Sequence, residues 1–161
     1  MRQTPSTASP LVRKSAPHRV REIARFAARI NRAIRVEIDN DVVVVTPGEN
    51  LGTLRYQEIH LEVGRINDLL RHGGYEKLLI DLSERKRIEN VILTALVGFC
   101  RTIPGRAAFC GVSDEIRQMM EGSNLAALWP LYQSRTEATE ALTSPDQHTE
   151  ALAARKEAVQ S

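Results

Sequence analysis

The stretch KLLIDLSERKRIENVILTALVGF, residues 77–99, contains the transition that decides the fold. Its first part, KLLIDL, is a short, mostly apolar run, which is typical of a strand that is covered on both faces. Its last part predicts an apolar helix from about Val91 to Ile103, because Pro104 and Gly105 end it. Residues 83–90, here called the joint, connect the two elements and carry five charged side chains and one asparagine.

The chain before this stretch predicts a hairpin and a helix. RVEI alternates apolar and polar residues from Arg35, Asp39-Asn40-Asp41 forms a turn, and VVVVT is too rich in β-branched residues to favour a helix. Pro47-Gly48 ends that strand. RYQEIHLEVGRINDLLRHGG then predicts a helix that stops at its two glycines and buries five apolar residues, namely Ile59, Val63, Ile66, Leu69 and Leu70.

The chain after the stretch continues the alternation of strands and helices. RAAFCGV predicts a buried strand, and Ser113 caps a short helix. LWPLYQS predicts a poor strand at an edge of the sheet because of Pro130. Ser134 and Glu137 form a capping box that starts a final helix. The order β-β-α-β-α-β-α-β-α predicts an α/β fold with a mostly parallel sheet of four to five strands and about four helices.

The two ends of the chain differ from this body. Residues 1–17 are rich in proline, serine and threonine, which predicts a disordered tail, and residues 145–161 form a polar tail. Residues 18–34 predict an amphipathic helix. Residues 1–35 carry nine basic residues and one acidic residue, so the rest of the chain has a net charge of −6. The basic arm comprises five arginines of this helix, namely Arg19, Arg21, Arg25, Arg29 and Arg32.

The order of elements, together with the residues near the joint, resembles the STAS domain of anti-sigma-factor antagonists. The resemblance covers about Val36 to Leu142 and includes the stretches VVVVTPGEN, KLLIDLSERKRIENVILTALVGF and AAFCGVSDEIRQMMEGSNLAALWPLYQS. It implies a STAS-like domain at 35–144. In that family, a motif Asp-Ser-Ser-Gly-Leu-Gly opens the helix after the strand, and its first Ser is phosphorylated by a switch kinase that also acts as an anti-sigma factor.

This chain departs from the family motif at most positions. By spacing, Glu89 stands where the motif has Asp, and Asn90 stands where it has the phosphoacceptor Ser. The resemblance implies a bacterial, cytoplasmic regulator that binds an anti-sigma factor or switch kinase without chemistry on a substrate. Asn90 can cap the helix but cannot accept phosphate, so we predict a joint held in the partner-binding state. The predicted partner-binding residues are Asp81, Ser83, Glu89, Asn90, Val91 and Thr94.

The residues of the joint and of the helix start also fit other interpretations. Asn90 can be a plain helix cap, Thr94 can be packed inside, and Ser83 or Thr94 can be phosphorylated instead. The charged residues 84–87 form either a solvated loop, a basic rim for an acidic partner, or a contact with the chain's own acidic surface. Cys100 and Cys110 are expected to be buried thiols.

Alternatives for the whole chain concern its partners. The basic arm can bind nucleic acid or an anionic membrane, pack on the domain, or form a homodimer. A STAS domain can also serve as a soluble subunit of a lipid-transport complex. We predict no enzyme, no cofactor and no metal, because the sequence has no phosphate loop, no nucleophile elbow and no paired metal ligands. No secretory signal and no transmembrane segment are predicted.

Overall fold

The computed structural model describes residues 33–144. Five strands form one sheet: β1 (Ile34–Asp39), β2 (Val42–Pro47), β3 (Lys77–Asp81), β4 (Arg106–Cys110) and β5 (Leu131–Tyr132). Four α-helices alternate with them: α1 (Tyr56–His72), α2 (Asn90–Thr102), α3 (Asp114–Gly122) and α4 (Arg135–Thr143). Two short 3-10 turns, Glu49–Thr53 and Leu125–Ala127, precede α1 and β5. The predicted order of elements is confirmed.

The strands lie in the sheet in the order in which they occur along the chain. β1 and β2 form an antiparallel hairpin, and every later pair is parallel. The hairpin turns at Asn40, whose φ of 57° lies in the left-handed region that asparagine tolerates. Because β2, β3 and β4 run in parallel, their carboxyl ends share one edge of the sheet, and the joint leaves from that edge.

The two faces of the sheet carry separate cores, because alternate residues of a strand point to opposite sides. In β2, Val43 and Val45 belong to the larger core, with residues of α1, α2 and α3. Val42 and Val44 belong to the smaller core, together with residues of α4 such as Leu142. In β3, Leu78 and Ile80 belong to the larger core and Leu79 to the smaller one, which confirms the prediction that KLLIDL is a strand covered on both faces.

The start of β1 corrects one predicted boundary. The amphipathic helix was predicted to extend through residue 34, but Ile34 is buried and pairs with Pro47 at the first position of β1. Its hydrophobic side chain fits the helical spacing equally well, and pairing with the hairpin partner decides the outcome. The rest of that helix, the basic arm and both tails lie outside the described residues, and their structure stays a prediction.

The two cysteines and the helix lengths complete the description of the domain. Cys100 and Cys110 are both free and buried, as expected. Within residues 33–144, none of the helices has the length and apolar character needed to cross a membrane.

Candidate functional site

Helix α2 begins one residue earlier than predicted, and this changes the role of Asn90. The N-cap is Glu89, whose carbonyl oxygen accepts hydrogen bonds from the amides of Ile92 and Leu93, both at 3.0 Å. Asn90 is therefore the first residue of the helix, and its predicted role as the cap is wrong. The Glu89 side chain makes no capping hydrogen bond. The first turn of α2 thus presents amide groups that no side chain satisfies, next to an exposed Asn90.

The Glu89 carboxylate is directed toward Arg85 instead of the helix amides. The Arg85 guanidinium donates to the Glu89 carboxylate at 2.8 Å, to the Gly48 carbonyl at 2.7 Å and to the Arg87 carbonyl at 3.2 Å. The side chain of Arg85 is only 6% exposed. For Arg85, two of the alternatives stated for residues 84–87, a solvated loop and a basic rim, are therefore wrong. It fastens the loop after β2 to the joint.

The remaining charges of the joint are mostly paired as well. Glu84 forms an ion pair with Arg35 of β1, and Arg87 approaches Glu115 of α3 at 3.2 Å. Both pairs are exposed, so each contributes little to stability. The contact of Arg87 with Glu115 agrees with the third alternative, in which the joint meets the chain's own acidic surface, whereas Glu84 meets a basic residue instead.

A second set of contacts holds the other side of the joint. The Ser113 hydroxyl donates to the Lys86 carbonyl at 2.7 Å and also accepts from the Ile116 amide, which caps α3 as predicted. Gly111, at φ 64°, lies so close to Ser83 that a Cβ at Gly111 would sit 2.8 Å from the Ser83 Cβ. The joint is therefore held in one conformation by contacts with the loops after β2 and β4.

The structure separates Asp81 from the other predicted binding residues. Asp81 is 8% exposed, and its carboxylate accepts a hydrogen bond from the Ser83 amide at 3.0 Å. Burial and, secondarily, the Asp81 carboxylate raise the pKa of the Cys110 thiol to about 12. Asp81 is thus a structural residue that shapes the joint, and its assignment to a docking surface is wrong. Ser83 remains exposed.

Helix α2 places Val91 and Thr94 on the surface beside Asn90. Val91 is 37% exposed, which is high for an apolar side chain. Thr94 is exposed and donates to the Asn90 carbonyl at 2.8 Å, so the alternative of a packed Thr94 is wrong. The structure therefore brings Glu89, Asn90, Val91 and Thr94 together at the outer start of α2.

A groove between α1 and α2 adjoins this helix start, and the sequence did not reveal it. Its volume is about 380 Å³, and it is bordered by Tyr56 and His60 on α1 and by Val91 and Thr94 on α2. Its floor includes Gly98, where an added Cβ would meet no atom within 4 Å. Tyr56 is 64% exposed and packs edge-on against His60. In the sequence, only Gly98 and Tyr56, both within predicted helices, could have indicated a groove.

Residues 33–144 contain no cluster of three or more histidine, cysteine or acidic side chains that could hold a metal ion. The scattered histidines of this part of the chain have ordinary surroundings. His72 contacts the Asp68 carbonyl within its own helix at 2.8 Å, and His60 contacts Tyr56.

Comparison with known proteins identifies the fold. No protein-family model matches the chain, and no curated protein matches it. Among solved structures, an anti-sigma-factor antagonist (STAS) domain protein from Planctomyces limnophilus has 24% identity and a TM-score of 0.60, covering 69% of this chain and 98% of that one. An anti-sigma factor antagonist from Mycobacterium paratuberculosis has 19% identity and a TM-score of 0.58, covering 69% and 93%.

A third similar structure is a variant of RsbS from Moorella thermoacetica, with 13% identity and a TM-score of 0.56, covering 69% of this chain and 97% of that one. These likenesses span nearly the full length of each neighbour and about the part of the chain that the structure describes. The chain therefore has the STAS fold of anti-sigma-factor antagonist domains. The resemblance predicted from the sequence is confirmed at the level of the fold.

Proposed function

We propose that this chain is a regulatory protein-binding module that acts as an anti-sigma-factor antagonist. The observation that carries the proposal is the exposed start of α2, where Asn90, Val91 and Thr94 adjoin the open groove toward α1. We call these three residues and the groove the docking surface. The structural neighbours described as anti-sigma factor antagonists support the same assignment.

The docking surface has the composition expected of a protein interface. Exposed aromatic and apolar side chains such as Tyr56 and Val91 lie beside polar groups such as His60 and Thr94. Interfaces of this kind combine aromatic anchors with a polar rim. The residues that line the groove include no carboxylate, cysteine or lysine, and its histidine, His60, packs edge-on against Tyr56.

Asn90 determines which state of the switch the surface represents. In the resembled family, phosphorylation of a serine at this position adds nearly two negative charges to the surface. Asn90 carries neither a hydroxyl to accept phosphate nor a charge. The chain is therefore held in a state equivalent to the unphosphorylated antagonist, which binds the anti-sigma factor continuously and so releases the sigma factor for transcription.

The test compares two glycine substitutions that add the same side chain. Gly98→Leu fills the floor of the groove, whereas Gly64→Leu places leucine on α1 outside the groove lining, and neither Cβ meets an atom within 4 Å. Both changes favour the helix by up to about 1 kcal/mol. Candidate anti-sigma factors, purified individually, are titrated against each variant by calorimetry. We expect Gly98→Leu to weaken binding at least tenfold and Gly64→Leu to leave it unchanged.

The outcomes separate the competing functions. Equal affinity of both variants would exclude the groove as the interface. Binding to a transport ATPase, with no affinity for any anti-sigma factor, would favour the lipid-transport alternative. Steeply salt-dependent binding to DNA or anionic vesicles that is lost on removing residues 1–32 would favour a role for the basic arm.

A further inference from the structure

A second cavity lies on the other side of the joint, at the carboxyl ends of β2 and β3. Its volume is about 490 Å³, within the range of small-molecule sites in proteins. In open α/β sheets, ligands bind outside the carboxyl ends of the strands. None of the residues of the docking surface lines this cavity. Its lining includes six polar or charged residues that could contact a ligand, namely Arg35, Thr46, Glu49, Asn50, Ser83 and Lys86.

Thr46 gives the first indication that this cavity has a ligand. It is only 1% exposed, and its buried hydroxyl has no hydrogen-bond partner among residues 33–144. In β2 it shares a face with Val42 and Val44, since alternate residues point the same way. Valine would fill this position without leaving a polar group unsatisfied, and a buried hydroxyl without a partner is destabilising. Packing within residues 33–144 does not explain the hydroxyl, and Thr46 lines the cavity, so a polar ligand there is one way to satisfy it.

The charges around the cavity indicate the class of ligand. Arg35 and Glu84 neutralise each other across the rim. Glu49 and Lys86 also line the cavity, and neither forms an ion pair among residues 33–144. One free carboxylate and one free ammonium suit a ligand that carries both charges. The amide of Asn50 and the hydroxyls of Thr46 and Ser83 supply neutral hydrogen-bonding groups.

The same lining argues against two other ligand classes. It includes no aromatic side chain on which a nucleobase could stack, and no large aliphatic side chain to hold a lipid tail.

We propose that this cavity binds a small zwitterion of the amino-acid class, with its carboxylate at Lys86, its ammonium at Glu49 and the Thr46 hydroxyl as a hydrogen-bond partner. Gly48, which also lines the cavity, accepts a hydrogen bond from Arg85, so the bound ligand would contact the loop that Arg85 holds.

The test uses backbone amide NMR spectra of the full chain during titration with each of the twenty common amino acids at millimolar concentration. Acetate and ethylammonium, which each carry half of the charge pattern, serve as matched probes. We expect at least one amino acid to shift the amide signals of Gly48, Asn50 and Ser83. Acetate and ethylammonium should bind at least tenfold more weakly than that amino acid.

Variants then assign the contacts. Lys86→Gln and Glu49→Gln, both at exposed positions, should each weaken binding at least tenfold, and Thr46→Val should weaken it several-fold without lowering the melting temperature. Thr94→Val removes a hydroxyl from the docking surface and should leave the affinity unchanged. The proposal is overturned if no amino acid shifts those signals, if acetate binds as tightly as the zwitterion, or if Lys86→Gln and Glu49→Gln retain the original affinity.

Discussion

Arg85 and Glu89 form an ion pair at 2.8 Å in which one partner is buried and the other is not. The Arg85 side chain is 6% exposed, whereas that of Glu89 is 54% exposed. The pair directs the Glu89 carboxylate away from the amides at the start of α2. A carboxylate over those amides would be favoured by the helix dipole. Arg85 thus keeps the Glu89 carboxylate off the amides at the start of α2 while anchoring the joint.

The first prediction concerns the hydrogen bonds of Arg85. Arg85→Lys should lower the free energy of unfolding by about 2–3 kcal/mol, because an ammonium at the buried position of Arg85 cannot reach all three acceptors. Urea denaturation measures the change. Glu89→Gln is the matched control and should cost less than Arg85→Lys, because its amide oxygen can still accept a hydrogen bond from the Arg85 guanidinium. Equal stability of the wild type and Arg85→Lys would contradict the anchoring role.

The second prediction concerns Asn90. Asn90→Asp places a charge on the docking surface and should weaken binding to the anti-sigma factor, whereas Asn90→Ser should preserve binding and create a site for a switch kinase. Calorimetry measures the affinities, and mass spectrometry after incubation with kinase and ATP locates phosphate. Equal affinity of all three forms would exclude this surface as the interface. Phosphate at Ser83 or Thr94 of the wild type would contradict a permanently active state.

The third prediction concerns the two thiols. Burial raises the pKa of Cys100 well above its ordinary value, and burial with the nearby Asp81 raises that of Cys110 to about 12. The reactive thiolate is therefore scarce at pH 8. In the native chain, both cysteines should react with a disulfide reagent far more slowly than a free thiol, and both should react at once in denaturant. Rapid labelling of either thiol in the native chain would show that the core opens.

The fourth prediction concerns Glu62 on α1. One of its carboxylate oxygens is buried and has no hydrogen-bond partner in the described part of the chain, and burial raises the pKa of this group. A raised pKa means that the folded state favours the protonated form, so stability is lost as the pH rises through that pKa. Glu62→Gln should therefore stabilise the chain at pH 7, because the amide carries no charge to desolvate.

The pH dependence distinguishes this effect from a general change in charge. The advantage of Glu62→Gln over the wild type should shrink toward pH 4, where Glu62 is protonated in the folded chain. Glu76→Gln, at an exposed position between α1 and β3, serves as the control and should show little change at either pH. Thermal denaturation between pH 4 and pH 7 provides the comparison.

The sequence predicted the elements of this fold because each has a strong local signal. The β-branched run of β2, the apolar run of β3 and the Ser113 cap all depend on residues close together in the chain. Local signals also located the joint. They could not place Arg85, because its carbonyl acceptor at Gly48 is 37 residues away and becomes adjacent only when β2 and β3 pair.

The candidate site was predicted only in part, because part of it depends on contacts between distant segments of the chain. Asn90 and Val91 lie on the surface, as expected for the start of a helix. The N-cap is Glu89 and not Asn90, because the cap is defined by the backbone geometry of a single residue, which the sequence does not determine. Asp81 was taken for a surface residue although it follows a buried strand. The groove escaped prediction entirely, since it depends on the spacing of α1 and α2.

The short final strand has a consequence for how this protein can assemble. β5 contributes two residues to the sheet and follows Pro130, which has no amide hydrogen to offer a neighbouring strand. A strand this short gives an incoming polypeptide little backbone to extend, which limits growth of the sheet from molecule to molecule. Growth of the sheet past β5 is thereby disfavoured, which lowers the hazard of fibre formation.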